Sequence, residues 1–132
     1  MKDLKHLYYF EKLLEETGNE LMKKAVEEGQ KAIGHVCFQI PEPLLNLEGT
    51  FSVRLRAPRT GSTEIGTYYL SSILCEGCRA LLERAFDGGY NFLSAIIAPD
   101  ACAQMNRCVE NIERLHLIGT EKFFVSYADV PM

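Results

Sequence analysis

Five cysteines are the residues of this chain whose chemistry is most specific. Cys75 and Cys78 form a CxxC pair, a spacing that can chelate zinc, bind an iron–sulfur cluster or form a redox disulfide. Cys102 and Cys108 are too far apart for an ordinary zinc knuckle, so the spacing does not support a paired CxxC zinc site. The odd number of cysteines favours free, metal-bound or reactive thiols over disulfides.

Length, charge and hydropathy restrict the class of protein. The 132 residues have room for one domain with a core, and the net charge of -4 argues against binding to nucleic-acid phosphates. No segment approaches the roughly 20 apolar residues that cross a membrane, and the charged N-terminus does not resemble an export signal. We therefore expect a single cytoplasmic domain that binds neither nucleic acid nor membranes.

The elements that position the cysteines can be predicted from the periodicity of apolar residues. Apolar residues recur every three to four positions between residues 4 and 28, which predicts amphipathic helix, divided near Thr17-Gly18-Asn19. β-prone runs predict strands over residues 32–38, 51–55, 92–98 and 122–126. Further helices are predicted near 44–47 and over 65–86 and 101–117, the last capped by Asp100.

This alternation of strands and helices predicts an α/β fold. We expect a parallel sheet of about four strands with helices on both faces, of the Rossmann or flavodoxin-like type. The chain then divides into an N-terminal helical segment, residues 1–30, and an α/β domain, residues 31–132. Sites in such sheets lie beyond the carboxyl ends of the strands, so the loops after Cys37, Leu55 and Ala98 should share one edge with Cys75 and Cys102. A thioredoxin-like site is disfavoured, because the CxxC pair lies inside a predicted helix.

Four stretches of sequence, in order, resemble one known family. They are Gly34 to Cys37 leading to Pro41-Glu42 and Val53 to Leu55; Tyr69-Leu70 to Cys75 and Arg79; Phe92-Leu93 to Cys102; and Phe123 to Pro131. In these the chain resembles the subunits of 2-hydroxyacyl-CoA dehydratases, the 2-hydroxyglutaryl-CoA dehydratase D-component family, and the related benzoyl-CoA reductases. Phe38 and Pro43 depart from the family's Ser and Glu, so the resemblance does not extend to acid–base residues in this loop.

The resemblance implies an iron–sulfur lyase that eliminates water from a 2-hydroxyacyl-CoA by radical chemistry. Three cysteines of such a subunit hold a 4Fe-4S cluster, and the matching positions are Cys75 and Cys102, with Cys78 as a weaker candidate. The family's third ligand belongs to a second α/β domain that we do not expect in these 132 residues. The implied partners are a second dehydratase subunit, an ATP-dependent iron–sulfur activator and an acyl-CoA, and the isolated chain should be inactive.

Other residues of the predicted edge have weaker candidate roles. Arg54, Arg56 and Arg59 would meet the phosphates of CoA, or else form a solvated edge of the sheet. Glu64 is a candidate acid or base, although a carboxylate in the first turn of a helix is also favoured by the helix dipole.

Several cysteines and histidines have simpler structural interpretations. Cys37 lies on a β-prone run and is expected to be a small buried hydrophobe, and Cys108 points away from Cys102. His6, His35 and His116 show no ligand spacing. The alternative to a dehydratase subunit is a cluster-free α/β scaffold that pairs with other chains, or a benzoyl-CoA reductase-like subunit. An apolar face left exposed where a second domain would pack predicts self-association into a homo-oligomer.

Overall fold

The computed structural model of the protein describes residues 4–58 and 60–130. The chain has an α/β fold with helices at the N-terminus, as the sequence predicted. The elements are α1 (Leu4–Leu14), α2 (Glu20–Glu27), β1 (Lys31–His35), a 3-10 helix (Glu42–Leu45), β2 (Thr50–Arg54), α3 (Glu64–Leu70), α4 (Glu76–Phe86), β3 (Leu93–Pro99), α5 (Ala103–Arg114) and β4 (Phe124–Ala128).

The four strands form one parallel sheet in the order β2-β1-β3-β4. Gly34 in β1 pairs with Val53 on one side and with Ile96 on the other. The chain leaves β1 to form β2 at one side and then crosses to β3 at the opposite side. The carboxyl ends of β1 and β3 therefore flank the point where the strand order reverses, which is where α/β sheets bind ligands.

One face of the sheet is packed tightly around Gly34. A Cβ atom at this position would lie 2.9 Å from Leu93 Cδ1 and 3.1 Å from Leu55 Cδ2, so the site accepts only glycine without a shift. Leu82 of α4 and Ile112 of α5 belong to the same buried cluster, at 0% and 1% exposure. The main core therefore lies between this face and the two helices that follow the candidate cysteines.

His35 lies next to Gly34 in β1, so its side chain points to the other face. It is fully buried, and its Nε2 atom lies 3.3 Å from Oε1 of Glu42 in the 3-10 helix, without the geometry of a hydrogen bond. Burial lowers the pKa of His35, and the opposing effect of the Glu42 carboxylate is smaller. The 3-10 helix thus covers His35 at the carboxyl end of this face. The neutral form of His35 is favoured there.

The N-terminal helices divide where the sequence predicted. Asn19 caps α2, because its side-chain oxygen accepts hydrogen bonds from the N–H groups of Leu21 and Met22 at 3.1 and 3.2 Å. The buried hydroxyl of Thr17 donates to the carbonyl of Arg56 at 2.8 Å and so ties this corner to the end of β2. None of the residues in α1 is buried. No helix within residues 4–58 and 60–130 is long and apolar enough to cross a membrane.

Residues 65–86 are mostly helical, as predicted, but they form two helices instead of one. Ser71 adopts a φ of 68° after α3, and the chain runs through a short loop before α4 begins at Glu76. Gly66 allows the two helices to approach closely, since a Cβ atom there would overlap the carbonyl oxygen of Arg79. The buried carboxylate of Glu83 accepts the Gly66 N–H at 2.8 Å, which fixes α3 against α4.

Three smaller predictions are also corrected. Asp100 does not cap α5; Cys102 occupies the N-cap position, and Asp100 accepts a side-chain hydrogen bond from Asn106 at 2.8 Å. The strand predicted over residues 92–98 lies one residue further along the chain, because Pro99 still pairs with Ala128. β4 begins at Phe124 and is displaced toward the C-terminus of the predicted run.

Candidate functional site

Cys75 and Cys102 each occupy the N-cap position of a helix. Cys75 precedes α4 and Cys102 precedes α5, and these two helices pack against one another. The backbone N–H of Cys75 donates to the side-chain oxygen of Gln104 at 2.8 Å, which joins the two helix starts directly. Both cysteines are exposed. The fold therefore places two accessible thiols at neighbouring helix N-termini, at the carboxyl end of the sheet.

The thiol of Cys75 is held over the first turn of α4. The N–H groups of Cys78 and Gly77 lower its pKa, Cys78 having the larger effect. Neither N–H makes a regular capping hydrogen bond to the sulfur, so the contacts are looser than those of an oxygen cap. A helix N-terminus favours a thiolate in this position. The prediction that the CxxC pair lies inside a helix is thus wrong, since Cys75 comes before the helix begins.

Cys78 lies three residues further on and is almost completely buried, with 1% of its surface exposed. Burial and the neighbouring Cys75 thiolate raise the pKa of Cys78 to about 12. The thiol of Cys108 donates to the carbonyl of Cys78 at 3.2 Å, and burial raises the pKa of Cys108 as well. Cys108 is therefore a core residue, whereas Cys78 lies directly below the exposed Cys75.

Cys37 lies two residues after β1, at the middle of the same edge. It is only partly buried, and its φ of 62° is uncommon for a residue other than glycine. Burial raises the pKa of its thiol, and so do the charges of Cys102 and Cys75, which places the three sulfurs within electrostatic reach of each other. Sequence analysis placed the loop after Cys37 at this edge but expected Cys37 itself to be a buried core residue. Its position just past the central strand was the available signal.

The predicted arginines are arranged around the end of β2. The charge of Arg54 acts on both His35 and Cys37, and Arg54 pairs with His35 across the two strands. Arg54 and Arg56 line a concavity of about 290 Å³ between β2 and the N-terminal helices. Glu64 is the exposed first residue of α3. Arg59 lies outside the described residues.

The donor atoms at this edge suit a metal in kind but not in number. Thiolates are the usual ligands of iron–sulfur clusters, which are commonly held by four of them. Within the two described ranges, no group of three or more cysteine, histidine or carboxylate residues is arranged to hold a metal ion. The chain therefore presents part of a donor set, centred on Cys75 and Cys102.

Large apolar side chains next to these cysteines in sequence, and on the helix before Cys75, are exposed. Phe38, next to Cys37, is 80% exposed, and Ile73, two residues before Cys75, is 91% exposed. Tyr68 of α3 is 84% exposed. Exposed apolar residues around a polar site are typical of a surface that another protein covers.

The sequence is similar to known proteins over most of its length. The family model of the 2-hydroxyglutaryl-CoA dehydratase D-component matches residues 37–131, a range that contains all five cysteines. The beta subunit of (R)-phenyllactyl-CoA dehydratase from Clostridium sporogenes is 30% identical over 112 residues. That alignment covers 79% of this chain but 29% of the relative, so the chain spans less than a third of that protein's length.

Proposed function

Since the chain belongs to the 2-hydroxyglutaryl-CoA dehydratase D-component family, we propose that it serves as the cysteine-bearing α/β domain of a 2-hydroxyacyl-CoA dehydratase subunit. The observation that carries the proposal is the juxtaposition of Cys75 and Cys102 at the N-termini of two packed helices. Each helix N-terminus favours the thiolate form of its cysteine. The proposed role is to supply thiolates to a site that the rest of the enzyme completes.

The proposed cofactor is a 4Fe-4S cluster with Cys75 and Cys102 as two of its ligands. When bound, the cluster would supply the one-electron transfer to the thioester that makes an unacidic β-proton removable. The remaining thiolate would come from outside the described residues. Cys78 is buried below Cys75 and is the weaker ligand, because its thiol must leave the core to reach the edge.

The end of β2 is the proposed binding region for the CoA part of the substrate. Arg54 and Arg56 line the same concavity, and Arg59 follows them in sequence. Guanidinium groups bind phosphate oxygens through paired, charge-assisted hydrogen bonds. Arg54 also acts electrostatically on Cys37, so CoA phosphates held here would lie beside the cysteine edge. Glu64 is the nearest candidate acid or base in the sequence, at the exposed start of α3.

The exposed rim of Phe38, Tyr68 and Ile73 supports an assembly in which this edge is covered by protein. We propose that the covering partners are the second α/β domain and the second subunit of a dehydratase, with an ATP-dependent activator as electron donor. Burying these side chains would also exclude water from the radical chemistry. A cytoplasmic location is consistent with the reduced thiols this function requires.

The proposal can be tested by anaerobic reconstitution of the chain with iron, sulfide and an excess of 2-mercaptoethanol, which replaces thiolates missing from the chain. We expect stoichiometric iron and sulfide and a broad visible absorption from thiolate-to-iron charge transfer. Cys75→Ser and Cys102→Ser should each lower the bound iron and the absorption well below the wild-type values, because a single protein thiolate then anchors the cluster. Cys108→Ala is the matched control, because Cys108 is buried away from the edge.

Each outcome bears on the proposal. Retention of the cluster by the Cys108→Ala variant, with loss in the two serine variants, supports the assigned ligands. A folded wild-type chain that binds no iron, or equal loss in all three variants, contradicts them. Circular dichroism of each variant separates loss of the site from loss of the fold.

A further inference from the structure

Cys75 and Cys78 form an unusual pair at the start of α4. Cys75 is the N-cap residue, and Cys78 is the third residue of the helix. Positions three apart at a helix start lie on the same side, with Cβ atoms about 5–6 Å apart. The sulfur of Cys75 is folded back over the turn, because a Cβ atom at Gly77 would lie 3.5 Å from it. The exposed sulfur of Cys75 thus faces the side of the helix where Cys78 is buried.

We propose that, in the chain without a bound cluster, Cys75 and Cys78 form a redox-active dithiol that reacts with small-molecule disulfides such as glutathione disulfide. Cys75 is the attacking residue, because it is exposed and its sulfur lies at a helix N-terminus. Cys78 is the resolving residue, because it is shielded from solvent and adjacent to Cys75. This inference goes beyond the proposed function, since it requires neither a cluster nor an acyl-CoA.

The reaction is a balanced thiol–disulfide exchange. The thiolate of Cys75 attacks one sulfur of glutathione disulfide, the glutathione S–S bond breaks, and one glutathione thiolate leaves. Cys78 then attacks the Cys75 sulfur of the mixed disulfide and releases the second glutathione thiolate. Two cysteine thiols are oxidised by two electrons, one disulfide is reduced, and the two protons from the cysteines end on the two glutathione molecules.

The local structure allows the bond to close. A disulfide requires Cβ atoms about 3.5–4.5 Å apart, which is slightly closer than helix positions three apart. Cys75 can supply this movement, because it ends the loop after Ser71 and its side chain makes no capping hydrogen bond. The other cysteines are placed less favourably. Cys108 is fully buried and donates to the carbonyl of Cys78, and Cys37 extends from the end of a strand.

Cys102 is the serious competitor, since it is exposed beside Cys75. The two cysteines belong to different helices, however. Cys102 lies at the start of α5, and the Cys75 N–H donates to the side chain of Gln104 in that helix. A bond between Cys75 and Cys102 would have to link the two helices. The pair within one helix requires a change at Cys75 alone.

The experiment is a redox titration of the reduced, chelator-treated chain in glutathione buffers at constant pH, followed by acid quenching, alkylation and mass spectrometry. Trypsin cleaves after Arg59, Arg79 and Arg84, so Cys75 and Cys78 share one peptide and Cys102 lies in another. We expect the peptide 60–79 to lose the mass of two hydrogens and to resist alkylation. The Cys78→Ser variant should stop at glutathione bound to Cys75, whereas Cys102→Ser should behave as the wild type.

Three results would overturn the inference. They are a cross-link between the peptides of Cys75 and Cys102, glutathione that accumulates on Cys75 in the wild type, and a peptide 60–79 that stays reduced at excess glutathione disulfide. The wild-type peptide map decides among these even if a variant fails to fold. Because the chain contains no iron in this assay, its result is independent of the cluster reconstitution.

Discussion

Replacing Gly66 by alanine should separate the two helices that lead to Cys75. Gly66 is buried in α3, where an added Cβ atom would overlap the carbonyl oxygen of Arg79 and lie 3.0 Å from its Cα atom. Both contacts are with backbone, so no flexible side chain can move aside. The helices must shift apart, and the hydrogen bond from the Gly66 N–H to the buried Glu83 carboxylate lengthens with them.

The size of the effect follows from two destabilising contributions and one stabilising contribution. Overpacking a close contact costs about 1–3 kcal/mol, and weakening a hydrogen bond to a buried charged group adds about 1 kcal/mol or more. Alanine recovers about 0.5–1 kcal/mol relative to glycine inside a helix. We therefore expect the free energy of unfolding to fall by about 1–3 kcal/mol, a large share of the roughly 5–15 kcal/mol typical of one domain.

Urea unfolding followed by far-ultraviolet circular dichroism measures this difference. Gly119→Ala is the matched control, because a Cβ atom at Gly119 has no neighbour within 4 Å, and its midpoint should stay close to that of the wild type. A Gly66→Ala variant as stable as the control would refute the argument. It would show that α3 and α4 do not contact one another as closely as the structure describes. The position of Cys75, which depends on that contact, would then be wrong as well.

Three further predictions concern buried polar groups and the site. Tyr90→Phe removes a 2.7 Å hydrogen bond to the carbonyl of Arg56 and should lower the urea midpoint by the equivalent of about 1 kcal/mol. The pKa of His35 is lower in the folded chain than the unfolded value of about 6.5. The stability that the folded chain gains from a neutral His35 is therefore present above that pH and lost as the pH falls below it. Between pH 7.5 and 5, the free energy of unfolding should therefore fall more steeply in the wild type than in the His35→Gln variant, by at most about 1.4 kcal/mol per pH unit. Parallel curves for the two proteins would contradict this. The pKa of Cys75 is lowered and that of Cys78 raised to about 12, so iodoacetamide at neutral pH should modify Cys75 first, and equal rates by mass spectrometry would exclude the helix-start geometry.

The overall fold was predictable because it depends on patterns that are local in sequence. The apolar run before Pro99 indicated a buried parallel strand, and Thr17-Gly18-Asn19 indicated a helix boundary, and both are observed. The break between α3 and α4 was not predictable in this way. It depends on the contact of Gly66 with Arg79 and on the positive φ of Ser71, neither of which affects the spacing of apolar residues.

The candidate site shows the same difference between local and tertiary information. A helix begins directly after Cys102, just past the loop that follows β3. Sequence analysis placed this cysteine near the start of that helix. Cys75 was assigned to a helix interior because the preceding break was missed. Cys37 was taken for a core residue, since periodicity shows which face a residue occupies but not how far the strand continues.

The strand order also determines when the cysteine edge can form during folding. β1 pairs with β2 soon after both are synthesised, but β3 reaches β1 only after α3 and α4 have been made. Cys75 precedes β3 and Cys102 follows it, so their approach depends on this most distant pairing in the sequence. Such pairings form slowly, so the two thiols come together late in folding. A ligand that Cys75 and Cys102 bind together can therefore be bound only after β3 has paired with β1.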